Sequence, residues 1–478
     1  MTVKSRYRDL PFARVGIILV SFYFVALFVN LTWVRLANAG DSKNLISGTD
    51  AALGCLARGE LVGCGHSIKE QTSVMPYALL QYIPASIFHL FGLSDAANLR
   101  ALAFLSAFSV ILILTMTLVI FRKYPRVGCL AVATLIGSSL LFQADVAFGE
   151  AFAALMLVVA IYAALERKVW LLFVFVFLAS MSKETMPFFI AILALVCARE
   201  NQRALLPRRV LTVSILSAAV LGLAASLLFN IFRFGTIRNL NYLDPLLQTR
   251  GAGNIAQFFA ALWLSPSSGI LWFWPTATVI VVVSIALTVT ALIRCPKSPN
   301  EWLPPLAVLV TLDAYIAGLA LWYSPFGWIA HGPRLAVPIL TAGIVILLHF
   351  FGNQICDALA RGWIRAVAAS AAIVFVSIPQ FGAPWRYTDS IRALIRPGPG
   401  CPPLNDRAIQ NDVELYYRCG EQTMWRPSLS TLTSTIDISA SMSGLAWILA
   451  ALGVFLLALQ AFRPSQQLAH QPIVGSAA

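Results

Sequence analysis

About twelve runs of apolar residues, most of them long enough to cross ~30 Å of hydrocarbon as a helix, are separated from one another by clusters of arginine and lysine. They fall near 15–34, 100–121, 127–143, 149–165, 169–181, 185–198, 210–232, 271–293, 303–323, 335–351, 364–380 and 443–461. With 59% hydrophobic and 12% charged residues, this pattern describes helices buried in lipid rather than around one water-surrounded core. The expected fold class is an all-α polytopic membrane protein of about 12 transmembrane helices, with outer-face loops carrying short helices. The runs at 169–181 and 185–198 are short for full spans, so a tilted hairpin or a re-entrant element is an alternative there.

A formal charge of +13 would suggest nucleic acid in a soluble protein, but here the basic residues punctuate the spans, and no nucleic-acid partner is expected. Arg122, Lys123 and Arg126, Arg167 and Lys168, Arg199, Arg203, Arg208 and Arg209, Arg294 and Lys297, Arg361 and Arg365, and Arg463 all fall in short connections on the side of the N-terminus. The positive-inside rule makes that side cytoplasmic and places both termini there. The basic cluster Lys4, Arg6, Arg8 and Arg14 then precedes a retained first helix, since the apolar stretch after it is too long for a signal-peptide core. The expected location is an inner (plasma) membrane of bacterial type, crossed many times. Three long segments, about 35–99, 233–270 and 381–442, face the opposite compartment.

Disulfides persist only on the oxidising side of a membrane, so cysteine placement checks this topology. Cys55 and Cys64 share the first long loop and Cys401 and Cys419 share the last, while Cys129, Cys197, Cys295 and Cys356 fall in spans or on the other side. Two local bridges are expected, Cys55 to Cys64 and Cys401 to Cys419. Spacing alone leaves four free thiols as the alternative. There is no CxxC or Cys/His zinc pattern, no GxxxxGK[ST] loop, no HExxH and no GxSxG, so zinc binding, nucleotide hydrolysis and serine-hydrolase chemistry lack support.

Charges that are expensive at a membrane are the functional candidates. Asp41 follows the first span, although an Asp next to Gly also makes a good turn or cap. Asp145 and Glu150 sit in the turn between spans three and four, where a Glu opening a helix is favoured by the helix dipole in any case. Lys183, beside Glu184, occupies the tip of the short hairpin and could simply snorkel. Arg233, Arg238 and Arg250 in the middle loop, with His331 and Arg334 opening span ten, would suit an anionic lipid headgroup if they converge, because arginine forks match phosphate oxygens.

Several segments carry a resemblance. An Asp after the first helix is followed by Glu70-Gln71-Thr72-Ser73-Val74-Met75-Pro76-Tyr77, then Phe91-Gly92-Leu93 and Arg100 entering span two. Phe148-Gly149-Glu150-Ala151 and Ser180-Met181-Ser182-Lys183-Glu184 mark the next two outer turns. Ser265-Pro266-Ser267-Ser268-Gly269-Ile270-Leu271 runs on to Trp274-Pro275, and Trp322-Tyr323-Ser324-Pro325-Phe326-Gly327-Trp328 runs on to His331-Gly332-Pro333-Arg334 and Pro338. In order and sidedness, over about residues 10–350, these segments resemble the GT-C superfamily of membrane glycosyltransferases, of the protein O-mannosyltransferase and lipid A aminoarabinose transferase type.

The resemblance implies transfer of a hexosyl or pentosyl group, with inversion, from a polyprenyl-phosphate-sugar donor to an envelope glycan, lipid or protein acceptor at the extracytoplasmic face. It implies that residues 1–380 are a GT-C-like catalytic region containing the loop 35–99. Residues 381–442 would be an extracytoplasmic cap that shapes acceptor choice, or a mere link between the last two spans, and 443–478 the last transmembrane helix and a cytoplasmic tail. Asp41 would be the general base, with Glu150 or Asp145 as the second acid. Lys183, His331 and Arg334, supported by Arg233, Arg238 or Arg250, would bind the lipid phosphate. The chemistry fits, because a phosphate leaving group needs cations and the incoming nucleophile needs a base. The resemblance implies no particular cofactor. A divalent metal stays open, although Asp41-Ser42 stands where relatives often have Asp-Glu and the loop has no compact DxD pair. Two other readings remain: a lipid-linked oligosaccharide ligase or polymerase, and a polytopic lipid or solute transporter.

Overall fold

Arginine clusters at the span boundaries become the turns of an antiparallel helical bundle. The computed structural model describes residues 11–33, 54–64, 95–144, 149–182, 185–200, 208–238, 252–265, 269–321, 333–377 and 441–463. All regular elements among them are helices. In chain order they are α1 (Pro11–Trp33), α2 (Asp95–Ile120), α3 (Pro125–Ile136), α4 (Ser139–Phe142), α5 (Glu150–Leu165), α6 (Val169–Ser180), α7 (Met186–Glu200) and α8 (Arg208–Phe234). They continue with α9 (Ala252–Leu264), α10 (Ile270–Phe273), α11 (Pro275–Arg294), α12 (Pro299–Ala320), a 3₁₀ turn (Arg334–Ala336), α13 (Val337–Leu359), α14 (Trp363–Ser377) and α15 (Ser441–Ala461).

Among the described residues, five helical segments, Pro11–Phe28, Arg209–Phe234, Pro275–Arg294, Pro299–Ala320 and Arg334–Leu359, are long and apolar enough to cross a membrane, and shorter apolar helices lie between them. The protein is a multi-pass helical membrane protein. Peripheral helices leave large apolar side chains uncovered, among them Val213, Val220 and Val279 at 60% exposure or more. Such surfaces fit lipid as the surrounding solvent.

Two helices form the centre. In its most apolar 18-residue stretch the Arg334–Leu359 span is 89% buried within the protein, against 28% for Pro11–Phe28 and 33% for the corresponding stretch of Pro275–Arg294. α5 is also buried around nearly its whole circumference, and it packs on α2, α6, α7 and α13. A helix that is apolar on every face belongs inside. Both central helices begin at the same end of the bundle, so the side chains that open them are held by protein on all sides.

Chain direction defines two ends. The turns at 121–124, 166–168, 295–298 and 360–362 share one end with the beginning of α1 and the close of α15, where the Arg463 guanidinium lies 5.7 Å from the Phe12 ring centre. The opposite end holds the starts of α5, α11 and α13. α1 and α15 meet through small residues: a Cβ added to Gly16 would stand 3.0 Å from the Gly453 oxygen, and one added to Gly453 would stand 3.1 Å from the Gly16 oxygen. Contact that close needs glycine on both helices.

One expected boundary changes. The run expected as one span over 127–143 is two helices, because Ser138 adopts an extended conformation and its Oγ accepts from Leu140 N, capping α4. At the break, a side chain on Gly137 would collide with Ser377 of α14, so the bend lets α14 close against α3. The segment 233–270, expected as one of the outer-face loops carrying short helices, contains α9, which packs on α12.

Candidate functional site

α5 starts at Glu150 with no side-chain cap at Gly149, so the carboxylate faces the unsatisfied amides and positive pole of its own helix. Arg334 opens the 3₁₀ turn that leads into α13, and Pro333 and Pro338 hold the chain around it in conformations compatible with a helix start. The two side chains meet. Arg334 Nε stands 3.1 Å from Glu150 Oε1, with about 9% and 10% of the respective side chains exposed. The N–H does not point squarely at the carboxylate, so the contact is an ion pair rather than an aligned hydrogen bond.

Each partner makes the other tolerable. A lone buried carboxylate or guanidinium carries a desolvation penalty of several kcal/mol, and removing one member of such a pair typically costs about 3–5 kcal/mol. The positions are not equivalent. Glu150 has the sign that a helix N-terminus favours, whereas Arg334 places a cation at the positive end of the most buried helix. The Glu150 carboxylate is the counter-charge that lets that cation stand there.

Tyr315, a residue given no role by sequence reasoning, completes the neighbourhood. Its hydroxyl donates to the Leu335 oxygen at 3.1 Å, within the 3₁₀ turn. Its ring meets Phe189 edge to face at 5.0 Å. Trp274 is also fully buried, donating its Nε1 hydrogen to the Thr134 oxygen at 3.0 Å and tying the start of α11 to α3. Gln143, which ends α4 just before the turn leading to Glu150, is fully buried, and neither atom of its amide has a hydrogen-bond partner among the described residues. An aromatic inside an apolar run is the only sequence signal that could have pointed to Tyr315 or Trp274, and core packing produces the same signal.

The remaining predicted residues divide. Arg233, near the C-terminal end of α8, is 1% exposed, donates to Asn230 Oδ1 at 3.0 Å and lies 4.4 Å from the Phe234 ring centre and 5.2 Å from that of Phe229. Arg238 is exposed just beyond, with its backbone N–H bonded to Thr236 Oγ1. Cys55 and Cys64 are joined as a disulfide. Their segment docks on the end of α8, with Gly63 N donating to the Ile231 oxygen at 3.2 Å and Cys64 N to the Phe232 oxygen at 2.7 Å. The Ile231 oxygen also accepts from Gly235 N at 2.8 Å, and the segment thus pairs with the last turn of α8, where helix carbonyls lie open. Asp41, Asp145, Lys183, Arg250, His331, Cys401 and Cys419 lie outside the described residues.

Among the described residues, Cys55, Cys64 and Glu60 bring possible metal-ligand atoms within 4.8 Å of one another, but the two sulfurs are already spent on each other. The Glu60 carboxylate is held by Arg58 at 2.9 Å, and this hydrogen bond sets its pKa below the usual carboxylate value.

No protein-family model matches the chain, and no curated protein matches it. Among solved structures it is similar to the crystal structure of ArnT from Cupriavidus metallidurans in the apo state, at 14% identity and a TM-score of 0.43, covering 93% of this chain and 77% of that one. A likeness at that score carries no inference about chemistry or residues.

Proposed function

We propose that this protein is a membrane glycosyltransferase of GT-C type that moves a sugar from a polyprenyl-phosphate donor to an acceptor at the extracytoplasmic face, with inversion. The observation that carries this reading is the buried Glu150–Arg334 pair, since sequence reasoning assigns the first as an acid of the site and the second as a phosphate ligand. The pair stands at the N-terminal ends of the two central helices, where anions are favoured.

In the proposed reaction Asp41 takes the proton from the acceptor hydroxyl or amine. The freed lone pair attacks the anomeric carbon, and the bond from that carbon to the phosphate oxygen breaks. The electron pair leaves with the polyprenyl phosphate, whose growing charge Arg334 stabilises, with Lys183 and His331 as further cations. Stabilising charge on a leaving group with preset cations in a dry site is among the strongest means by which an enzyme lowers a barrier. The donor, acceptor, both assignments of side and the roles of Asp41, Asp145, Lys183, His331, Arg233, Arg238 and Arg250 are parts of this proposal.

The test is transfer of radiolabelled sugar from a polyprenyl-phosphate donor in membranes containing the protein. Asp41→Asn is expected to lose about 10²- to 10⁴-fold in rate, the range for removing a general base. Full transfer by that variant would overturn the base assignment and favour a ligase or polymerase whose decisive loop lies later in the chain.

A further inference from the structure

The phenol of Tyr315 is buried in an apolar helix, and its hydroxyl reaches across to a different element. A buried hydroxyl is retained at a cost unless it is bonded, and this one is bonded to the backbone oxygen of Leu335, the residue after Arg334. Within the same turn Ala336 N donates to the Pro333 oxygen at 2.8 Å, so the Arg334 backbone is bracketed by two hydrogen bonds. The Tyr315 ring is steadied from the other side by the edge-to-face contact with Phe189 of α7. The chain of contacts therefore runs from α7 through α12 to the base of the Arg334 side chain, whose guanidinium then meets Glu150.

We propose that Tyr315 is a positioning residue for Arg334: its hydroxyl fixes the Arg334–Ala336 turn, and through it the guanidinium that receives the lipid phosphate. Tyr315 does not touch the ligand. This proposal rests on the phosphate-binding reading above and adds to it the residue that sets the cation's place. An arginine fork is selective for phosphate only when its plane is held, and freedom at its backbone loosens that geometry while leaving the charge in place.

The experiment measures binding of undecaprenyl phosphate to the purified full-length protein, with undecaprenol as the control lacking phosphate. Tyr315→Phe keeps the ring and its packing on Phe189 and removes only the hydroxyl. It is expected to weaken undecaprenyl phosphate about tenfold, the equivalent of one buried hydrogen bond, and to leave undecaprenol unchanged. A general loosening of the bundle would weaken both ligands and overturn the proposal. Arg334→Lys separates the cases further: if Tyr315 acts through Arg334, adding Tyr315→Phe to Arg334→Lys produces no further loss.

Should Tyr315→Phe melt well below the native protein, Phe189→Leu supplies the second probe, since it retains the phenol but removes the ring edge that steadies it. A smaller loss confined to the phosphate ligand, and absent in the Arg334→Lys background, is expected. Native affinity in Tyr315→Phe, or a loss that adds in full to that of Arg334→Lys, overturns the proposal and leaves the glycosyltransferase reading standing. Failure of the native protein to bind undecaprenyl phosphate in preference to undecaprenol overturns both.

Discussion

The two ends of the bundle use arginine in opposite ways. At the end shared by the start of α1 and the close of α15, Arg126 donates to the Ala461 oxygen at 2.9 Å and to the Cys356 oxygen at 3.3 Å, and pairs with Asp357 at 2.8 Å. Arg122 meets Glu166 at 2.7 Å and Lys168 donates to the Tyr162 hydroxyl at 3.0 Å. Arg126 there satisfies carbonyls of the last turns of α13 and α15, where the helix dipole welcomes a cation, and water still reaches its pair, with the Asp357 side chain 58% exposed. At the other end Arg334 stands at a helix N-terminus, against the dipole, with Glu150 as its counter-ion and water largely excluded from both. α13 spans the contrast by itself, since Asp357 near its end and Arg334 before its start each carry the sign that the dipole disfavours. The first is relieved by an exposed clamp and the second by burial with an opposite charge. Arg126 stitches helices at one end with water in reach, and Arg334 at the other end is held inside a buried ion pair.

Substitution of the costly pair tests this contrast with the largest expected effect. Arg334→Gln leaves Glu150 buried opposite a neutral amide, and it is expected to lower stability by about 3–5 kcal/mol, read as a drop in melting temperature in detergent. Adding Glu150→Gln to Arg334→Gln should recover much of that stability, because no charge is then left alone, while lipid-phosphate binding stays lost. A double variant as unstable as the single one would mean that the pair is not electrostatically coupled.

The docked disulfide segment comes next. Replacing Cys55 and Cys64 together by serine opens a short covalent loop and is expected to cost about 2–3 kcal/mol at most, on a chain-entropy basis. The loss should concentrate in faster amide exchange at Gly63 and Cys64, the donors that hold the segment to α8. Unchanged exchange there would show that backbone pairing alone suffices.

At the stitched end, Arg126→Gln removes a clamp that water partly relieves. A loss of about 1–3 kcal/mol in stability is expected, with transfer per folded molecule unchanged. Smallest of all is Glu60→Gln. The Glu60 carboxylate has a pKa held below its usual value by Arg58, so any stability it lends is present above the unfolded pKa and fades as pH falls through the folded one. The pair is fully exposed, so melting curves of the variant and the native protein should coincide on both sides of that window.

Span positions are legible in the sequence because about twenty apolar residues between arginines leave few other solutions. The bend at Gly137–Ser138 is not legible, since a glycine and a serine inside an apolar run are tolerated in a straight helix too; the Ser138 cap that starts α4 and the close approach of Ser377, far away in sequence, show only in the folded chain. α9 escapes a search for spans because its thirteen residues are shorter than a span and sit among turn residues. In the site, Glu150 and Arg334 stand out through their cost in an apolar setting, and the structure adds that they meet. Tyr315 is hidden because its role lies in where its hydroxyl points, to a backbone oxygen twenty residues away, and no spacing rule encodes that. Arg233 is expected from the sequence near the same phosphate as Arg334. Its contacts include Asn230 and the Phe229 and Phe234 rings beside the disulfide segment, a neighbourhood that residue type alone could not separate from the first.

The most direct test of the contrast between the two ends is photo-crosslinking in native membranes with a polyprenyl phosphate carrying a diazirine on the isoprene unit next to the phosphate, followed by mapping of the labelled peptides. Label on the peptides around Glu150 and Arg334, displaced by unmodified polyprenyl phosphate and reduced in Arg334→Gln, is the predicted result. Displaceable label on the peptides around Arg122, Arg126 and Asp357 instead would contradict it, because the lipid phosphate would then bind at the end assigned here to holding helices together.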